Sequence, residues 1–112
     1  MAKVELTVPD KLSKIDPDLR DKLLAGAIRE VASVQLREKE EELKEAKKHV
    51  LEFEDKYKKK LEHFEKDLPE DADYKLHEDL VEWSFWSDVL VKVQGLVKDL
   101  RFVLAKTNEG NS

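Results

Sequence analysis

The sequence predicts a mainly α-helical, elongated protein. We expect a short N-terminal strand, one very long charged helix, and a second helix that folds back along it as an antiparallel coiled-coil hairpin. Between Pro17 and Pro69 the chain has no proline and one glycine, Gly26, and it is dense in residues of high helix propensity. Apolar residues recur there at steps of three and four, which is the period of a helix that packs along a partner helix.

Composition limits the classes of function. The chain has 112 residues, of which 42% are charged, and its net charge is −5. An acidic chain is a poor candidate for nonspecific nucleic-acid binding, which depends on Lys and Arg, but it suits a basic protein partner. It has no cysteine, which excludes disulfides and thiolate metal sites. No apolar run approaches the ~20 residues of a membrane helix, and the N-terminus lacks a signal-peptide core. We therefore expect a cytoplasmic protein that does not bind membranes.

Residues 1–15 are predicted to form a strand and a turn. Val4, Leu6 and Val8 alternate with polar residues, and Pro9 ends the strand. A single strand is not stable alone, and no second strand is visible in the sequence. The strand therefore either pairs with its symmetry mate, adds to the sheet edge of a partner, or is a loosely ordered terminal segment.

The long helix is predicted over residues 16–68, with Asp16 as its N-cap and Pro17 at its first position. Its first part, residues 19–36, carries a wide apolar stripe and is the expected core of a homodimer or larger even oligomer. The expected interface residues are Leu23, Leu24, Ala27, Ile28, Val31 and Leu36. Its second part, residues 37–68, is a charged coiled-coil half, in which a four-residue step after Tyr57 is interpreted as a stutter.

Residues 69–73 are predicted to form a loop, residues 74–106 the second helix, and residues 107–112 a disordered polar tail. At about 45 Å, the second helix is expected to cover only the charged half of the first. It packs there either within its own chain or on the other protomer. Gly95 inside this helix is expected to mark close packing.

Few residues are candidates for catalysis. The three histidines, His49, His63 and His77, are too far apart to share a metal, and no His-Glu-x-x-His pattern occurs. Glycine is too scarce for a phosphate-binding loop. We therefore expect a non-enzymatic protein with no catalytic residues, no metal site and no cofactor.

The segment from Tyr74 to Trp86 is the unusual one, because it contains both tryptophans of the chain among acidic residues. From Pro69 to Glu82 there are six acids (Glu70, Asp71, Asp73, Glu78, Asp79 and Glu82) against Lys75 alone. Aromatic residues with acidic neighbours are typical of a surface that binds a basic protein. The expected partner-binding residues are Tyr74, Glu78, Asp79, Glu82, Trp83, Phe85 and Trp86. The equally weighted alternative is that these rings close the turn end of the hairpin as core residues.

The order of these segments resembles small archaeal chains that form the antitoxin half of toxin–antitoxin pairs. The resemblance rests on the strand Val4–Val8 followed by Pro9 and Asp10, on the long charged helix, on the run Phe53-Glu54-Asp55-Lys56-Tyr57, and on the block from His77 to Trp86. It implies a non-catalytic subunit that binds and neutralises a small basic toxin.

Antitoxins often carry a DNA-binding unit at the N-terminus, and the ribbon-helix-helix version begins with such a strand. This sequence departs from that plan, because Pro17 opens one long helix where a short helix, a turn and a second helix are required. Glu5 also lies on the strand face that would read the groove. DNA binding is therefore doubtful. The alternative to an antitoxin is a structural coiled-coil homo-oligomer or co-chaperone-like scaffold, whose chief partner is itself.

Overall fold

The computed structural model describes residues 14–109, and the predicted strand over Val4–Val8 lies outside them. Three helices follow one another: α1 (Pro17–Tyr57), α2 (Leu61–Asp67) and α3 (Tyr74–Glu109). The long helices α1 and α3 pack side by side as an extended antiparallel hairpin, so the predicted all-helical hairpin is confirmed. No strand occurs in the described residues. The radius of gyration is 21.3 Å, against about 13 Å for a compact domain of this length.

Both long helices begin at the caps that the sequence contains. The Asp16 carboxylate accepts a hydrogen bond from the Leu19 backbone N–H at 3.2 Å, and Pro17 takes the first position of α1. The Asp73 carboxylate likewise accepts from the Leu76 backbone N–H at 3.0 Å at the start of α3. Each carboxylate satisfies a backbone donor that has no partner within the helix.

The helix predicted over residues 16–68 is interrupted, and this corrects the sequence analysis. Helix α1 ends at Tyr57, and Lys58 adopts the left-handed conformation with φ 56° and ψ 35°. Neither proline nor glycine occurs at the break, so the reason is tertiary. By turning there, the chain folds the short helix α2 back so that the Phe64 ring reaches the Tyr57 ring, 4.4 Å away between centroids. The four-residue step after Tyr57 therefore marks a break and not a stutter.

Helix α3 differs from its prediction in where it ends and in how far it extends along α1. It continues through Thr107 to Glu109, so the first residues of the predicted tail are helical. Its C-terminal residues Lys106 and Thr107 lie beside Asp18 and Ile28, so α3 runs along the whole of α1 and not only along its charged half. The expectation that Gly95 marks close packing is also wrong. A Cβ built there meets nothing within 4 Å, and no close packing requires the glycine.

The core of the hairpin is unevenly distributed. The buried apolar residues outside the turn end are small or medium in size: Ala32, Ala46, Val93 and Val97. At the end where α1 begins, none of the described residues from Lys14 to Val31 is buried. We call this the open end, and the opposite end, where α2 connects the long helices, the turn end.

Candidate interaction surfaces

The turn end contains an aromatic cluster around Trp83, whose side chain has 0% exposure. The Trp83 ring stacks on Phe53 and Tyr57 of α1, with centroid distances of 5.6 and 5.9 Å. Phe64 of α2 lies 5.2 Å away on a tilted plane. Offset and tilted aromatic pairs at such distances are favourable beyond their buried area. Three helices therefore meet at this one indole.

Asp79 is buried in the same place, one helical turn before Trp83, and only 2% of its surface is exposed. Its carboxylate accepts hydrogen bonds from Lys56 Nζ, at 2.7 Å, and from the Tyr57 hydroxyl. Lys75 Nζ lies 3.5 Å away on the same helix. Burial raises the pKa of Asp79, but the hydrogen bonds from Lys56 and Tyr57 and the two lysine charges together outweigh it, so the pKa lies below its ordinary value.

The pKa values of the two donors, Tyr57 and Lys56, are raised, opposite to that of Asp79. Burial and the hydrogen bond to Asp79 raise the pKa of the Tyr57 hydroxyl, and the hydrogen bond to Asp79 raises that of Lys56. Within the described residues, every buried side-chain polar atom has a hydrogen-bond partner. The cluster therefore stabilises one charge state, Asp79 ionised and Tyr57 protonated, which suits a structural contact.

The seven residues predicted to bind a partner are divided by the structure. Asp79 and Trp83 lie inside the hairpin. Trp86 is half-buried and stacks on His49 of α1, with centroids 4.0 Å apart and planes at 11°. The remaining four, Tyr74, Glu78, Glu82 and Phe85, are exposed. Trp83 is therefore a core residue, as the alternative predicts, and partner binding by the four exposed residues stays a prediction.

The exposed four share one face of α3 with Val81, a residue that the sequence analysis did not single out. Tyr74, Val81 and Phe85 are 78%, 71% and 57% exposed, respectively, and together with Glu78 and Glu82 they line a shallow depression. Their spacing along α3 follows the helical repeat, so they form a continuous surface. We call these five residues the outer α3 face. Glu78 and Glu82 lie among its apolar side chains, and Lys75 and His77 line the same depression.

A second exposed apolar surface lies on α1 at the open end. Leu23, Leu24, Ile28, Val31 and Val34 are all exposed, as is Ala27, and they recur every three or four residues. We call these six residues the α1 stripe. Leu36, the sixth residue of the predicted interface, is half-buried, and Ala32 one turn before it is buried. Val34, which the prediction did not include, is exposed instead.

The stripe continues into an open crevice between the ends of the long helices. Leu24, Ala25 and Ile28 line it from α1, and Lys106 and Thr107 line it from α3. Asp18, Asp21 and Lys22 surround its rim. The crevice exists because the side chains that α1 and α3 direct at each other at this end do not fill the space between them.

Neither surface has the features of a reactive centre. Across residues 14–109, no group of three or more His, Asp or Glu side chains is arranged to hold a metal ion. None of the helices in that range is long and apolar enough to cross a membrane. The α1 stripe consists of apolar side chains, whereas the outer α3 face combines apolar side chains with carboxylates.

Comparison of the chain with protein-family models, curated proteins and solved structures finds no match.

Proposed function

We propose that the protein is a non-catalytic binding subunit of the antitoxin type, and that its outer α3 face binds a small basic protein. One observation carries the proposal: Tyr74, Val81 and Phe85 are largely exposed on one side of α3, with Glu78 and Glu82 among them. Large exposed apolar side chains on a protein this small mark a surface that another protein covers. Lys75 lines the same depression but pairs with Asp79 at 3.5 Å, so Glu78 and Glu82 favour a partner of positive charge.

The buried side of the same helix supports this assignment. Trp83 and Asp79 anchor α3 to α1 and α2, so the outer face lies on a segment that is held in place before a partner arrives. A pre-ordered surface loses little conformational entropy on binding. The outer face is also separate from the α1 stripe, which belongs to the other long helix.

Two kinetic effects distinguish the roles of charge and of apolar contact. Attraction to Glu78 and Glu82 speeds encounter and weakens with salt, whereas burial of Phe85 sets the rate of dissociation. Glu82→Lys should therefore mainly slow association. Phe85→Ala should mainly speed dissociation, by about thirtyfold if the ring is a hot spot worth about 2 kcal/mol.

The experiment uses the small basic proteins encoded by genes next to that of this chain. Each is expressed in a bacterial host, alone and together with this chain, and growth is measured. We expect one of them to arrest growth and the wild-type chain to relieve the arrest. Phe85→Glu should fail to relieve it, and Leu51→Glu, an equally exposed site on α1, should relieve it normally.

Two outcomes would reject this proposal. If no neighbouring product arrests growth in a way that the chain relieves, the antitoxin function is excluded. If Phe85→Glu relieves the arrest as well as the wild type does, the binding surface lies elsewhere. Circular dichroism of each variant confirms that the helices have formed before either result is interpreted.

A second candidate function is a homo-oligomeric scaffold, which the α1 stripe favours because it is exposed independently of the outer α3 face. A scaffold would self-associate through the stripe and leave the outer face unoccupied. The growth assay would then show no effect, while the oligomeric state would depend on the stripe residues.

A further inference from the structure

The α1 stripe contains a regular seam that continues into charged residues at both ends. Arg20, Leu24, Ala27, Val31, Val34 and Glu38 follow one another at alternating steps of four and three. This is the spacing of residues that face a partner helix in a coiled coil. The four central members are exposed, so α3 leaves the seam open, although Leu24 also borders the crevice beside α3.

The residues of the seam are arranged symmetrically about position 29, and this arrangement favours antiparallel pairing of two copies. The members of the seam form pairs about that position: Arg20 with Glu38, Leu24 with Val34, and Ala27 with Val31. An antiparallel second copy, related by a two-fold axis, would place each residue opposite the other member of its pair. Apolar residues would then meet apolar residues, and a cation would meet an anion at both ends.

The opposite direction of pairing is disfavoured by charge. In a parallel pair each residue meets its own copy, so Glu38 would face Glu38 and Arg20 would face Arg20. Glu41 and Glu42 follow Glu38 on the same side of α1 and are also exposed; Glu42 pairs with Lys39 at 3.2 Å, so Glu41 is the one that would add most to the repulsion. Like charges placed directly opposite each other oppose association.

We propose that the α1 stripe is covered by a second copy of this chain that runs antiparallel to the first, with Arg20 of each copy opposite Glu38 of the other. Arg20 is suited to this role. Its contact with Asp21 is a long 3.8 Å, and its side chain remains 37% exposed, so it can reach across a helix pair. Ala27 at the centre lets the two helices approach closely.

This inference concerns self-association at the open end and does not depend on the basic partner proposed for the outer α3 face. The experiment therefore measures only the chain itself. Because the chain contains no cysteine, single-cysteine variants report unambiguously on which residues meet. The probes are Leu24→Cys and Val34→Cys, whose wild-type side chains are exposed in the hairpin.

Oxidation of an equal mixture of the two variants should give a disulfide-linked dimer that contains one chain of each. Each variant alone should stay largely unlinked. In the antiparallel pair, two copies of position 24 lie on the order of 15 Å apart along the axis, beyond the roughly 7 Å that a disulfide can span between Cα atoms.

Charge variants test the same register in solution by sedimentation. Arg20→Glu should weaken self-association about tenfold, since it breaks two equivalent pairs. Glu38→Arg should do the same, and the double exchange should restore the affinity to within about threefold. Lys47→Glu, an exposed change of equal charge outside the seam, is the matched control and should have little effect.

Three results would overturn the proposal. A disulfide dimer formed by Leu24→Cys alone would show parallel pairing. Tighter association of the neutral variant Glu38→Gln would show the same, because it removes a repulsion. A wild-type chain that sediments as a monomer at its highest attainable concentration would show that no second copy covers the stripe.

Discussion

The turn end and the open end of the hairpin are built from the same two helices but differ in how much they bury. At the turn end, Trp83 and Asp79 are fully enclosed by α1 and α2. At the open end, no described residue before Ala32 is buried, and the most apolar stretch of α1 faces solvent. Pairing of the two long helices alone therefore buries only small and medium side chains, Ala32, Ala46, Val93 and Val97, and buries none of those described at the open end. The turn end has a third helix and large rings, whereas the open end lacks an equivalent third element within the described chain.

This difference indicates where the stability of a single chain comes from. Burial of apolar surface is the dominant favourable term in folding, and in this chain it is concentrated near Trp83. The open end would bury a comparable apolar surface only if another chain covered the α1 stripe. Substitutions at the two ends should accordingly affect two different measured quantities, unfolding free energy at one end and association at the other.

The largest effect is expected for Trp83→Ala. Removing a fully buried indole leaves a cavity among Phe53, Tyr57 and Phe64, and we expect the free energy of unfolding to fall by about 3–5 kcal/mol. Urea denaturation followed by circular dichroism measures the loss. Phe85→Ala on the same helix is the control; its ring is exposed but lies edge-on to Trp86, with centroids 5.2 Å apart, so the loss should be about 1 kcal/mol or less. Equal losses for the two variants would contradict the division into core and surface rings.

Ile28→Asp should act on association and spare the protomer. The residue is exposed in the hairpin, but a second copy would bury it, and an unpaired buried charge costs about 3 kcal/mol or more. Sedimentation should show self-association weakened more than about a hundredfold. Leu51→Asp, another exposed apolar site on α1, should leave association unchanged. If both variants associate like the wild type, the stripe is not an interface.

Asp79→Asn should destabilise the turn end by about 2 kcal/mol at neutral pH, because it weakens the charged hydrogen bonds from Lys56 and Tyr57. The pKa of Asp79 is lowered by folding, so its contribution is complete above the unfolded pKa of about 3.9. It is lost as pH falls through the lower folded value.

The difference in unfolding free energy between wild type and Asp79→Asn should therefore shrink on acidification below about pH 4. Glu78→Gln, at an exposed neighbouring site, is the control and should behave like the wild type throughout. A wild-type advantage that persists unchanged into strong acid would show that the Asp79 charge is not what stabilises the turn end.

The smallest effect is expected for Gly95→Ala, which should stabilise α3 by about 1 kcal/mol. The glycine lies in the interior of a helix, and the added methyl group meets nothing within 4 Å. The midpoint of urea denaturation should rise while sedimentation stays the same. A drop in self-association would place this part of α3 in the interface and enlarge the surface beyond the α1 stripe.

Much of the fold follows from local signals in the sequence. Asp16 with Pro17, and Asp73 before Tyr74, mark the starts of the two long helices because a carboxylate there accepts backbone N–H groups. Pro69 marks the connection between them. The break at Lys58 could not be predicted in this way, since lysine has no preference for the left-handed conformation. It is imposed by the packing of Phe64 against Tyr57 and Trp83.

The sequence also contains a signal for which residues between Tyr74 and Trp86 are buried and which are exposed. Apolar residues of the second helix recur at steps of four and three from Trp86 through Leu90, Val93, Val97 and Leu100 to Leu104, and the same steps extend backwards to Trp83, Asp79 and Leu76. That register places Asp79 and Trp83 against α1, as the structure shows. Two features obscured the signal: a carboxylate at a core position, and a partner, Tyr57, that is distant in the sequence. Val81 was missed because it follows Leu80 directly, and an apolar pair in an amphipathic helix does not show which of its members is exposed.

The bond between Lys56 and Asp79 also has a consequence for the order in which the hairpin forms. These residues are 23 positions apart in the chain, whereas Arg101 and Glu40, which bridge the two helices nearer the open end, are 61 apart. Closing the shorter loop costs about 0.9 kcal/mol less entropy. We expect the chain to close at the turn end first and to zip towards the open end, with amide protection against hydrogen exchange decreasing in the same direction. Ordering of the α1 stripe would then be the last step of folding, and a second copy that binds there would slow the first step of unfolding.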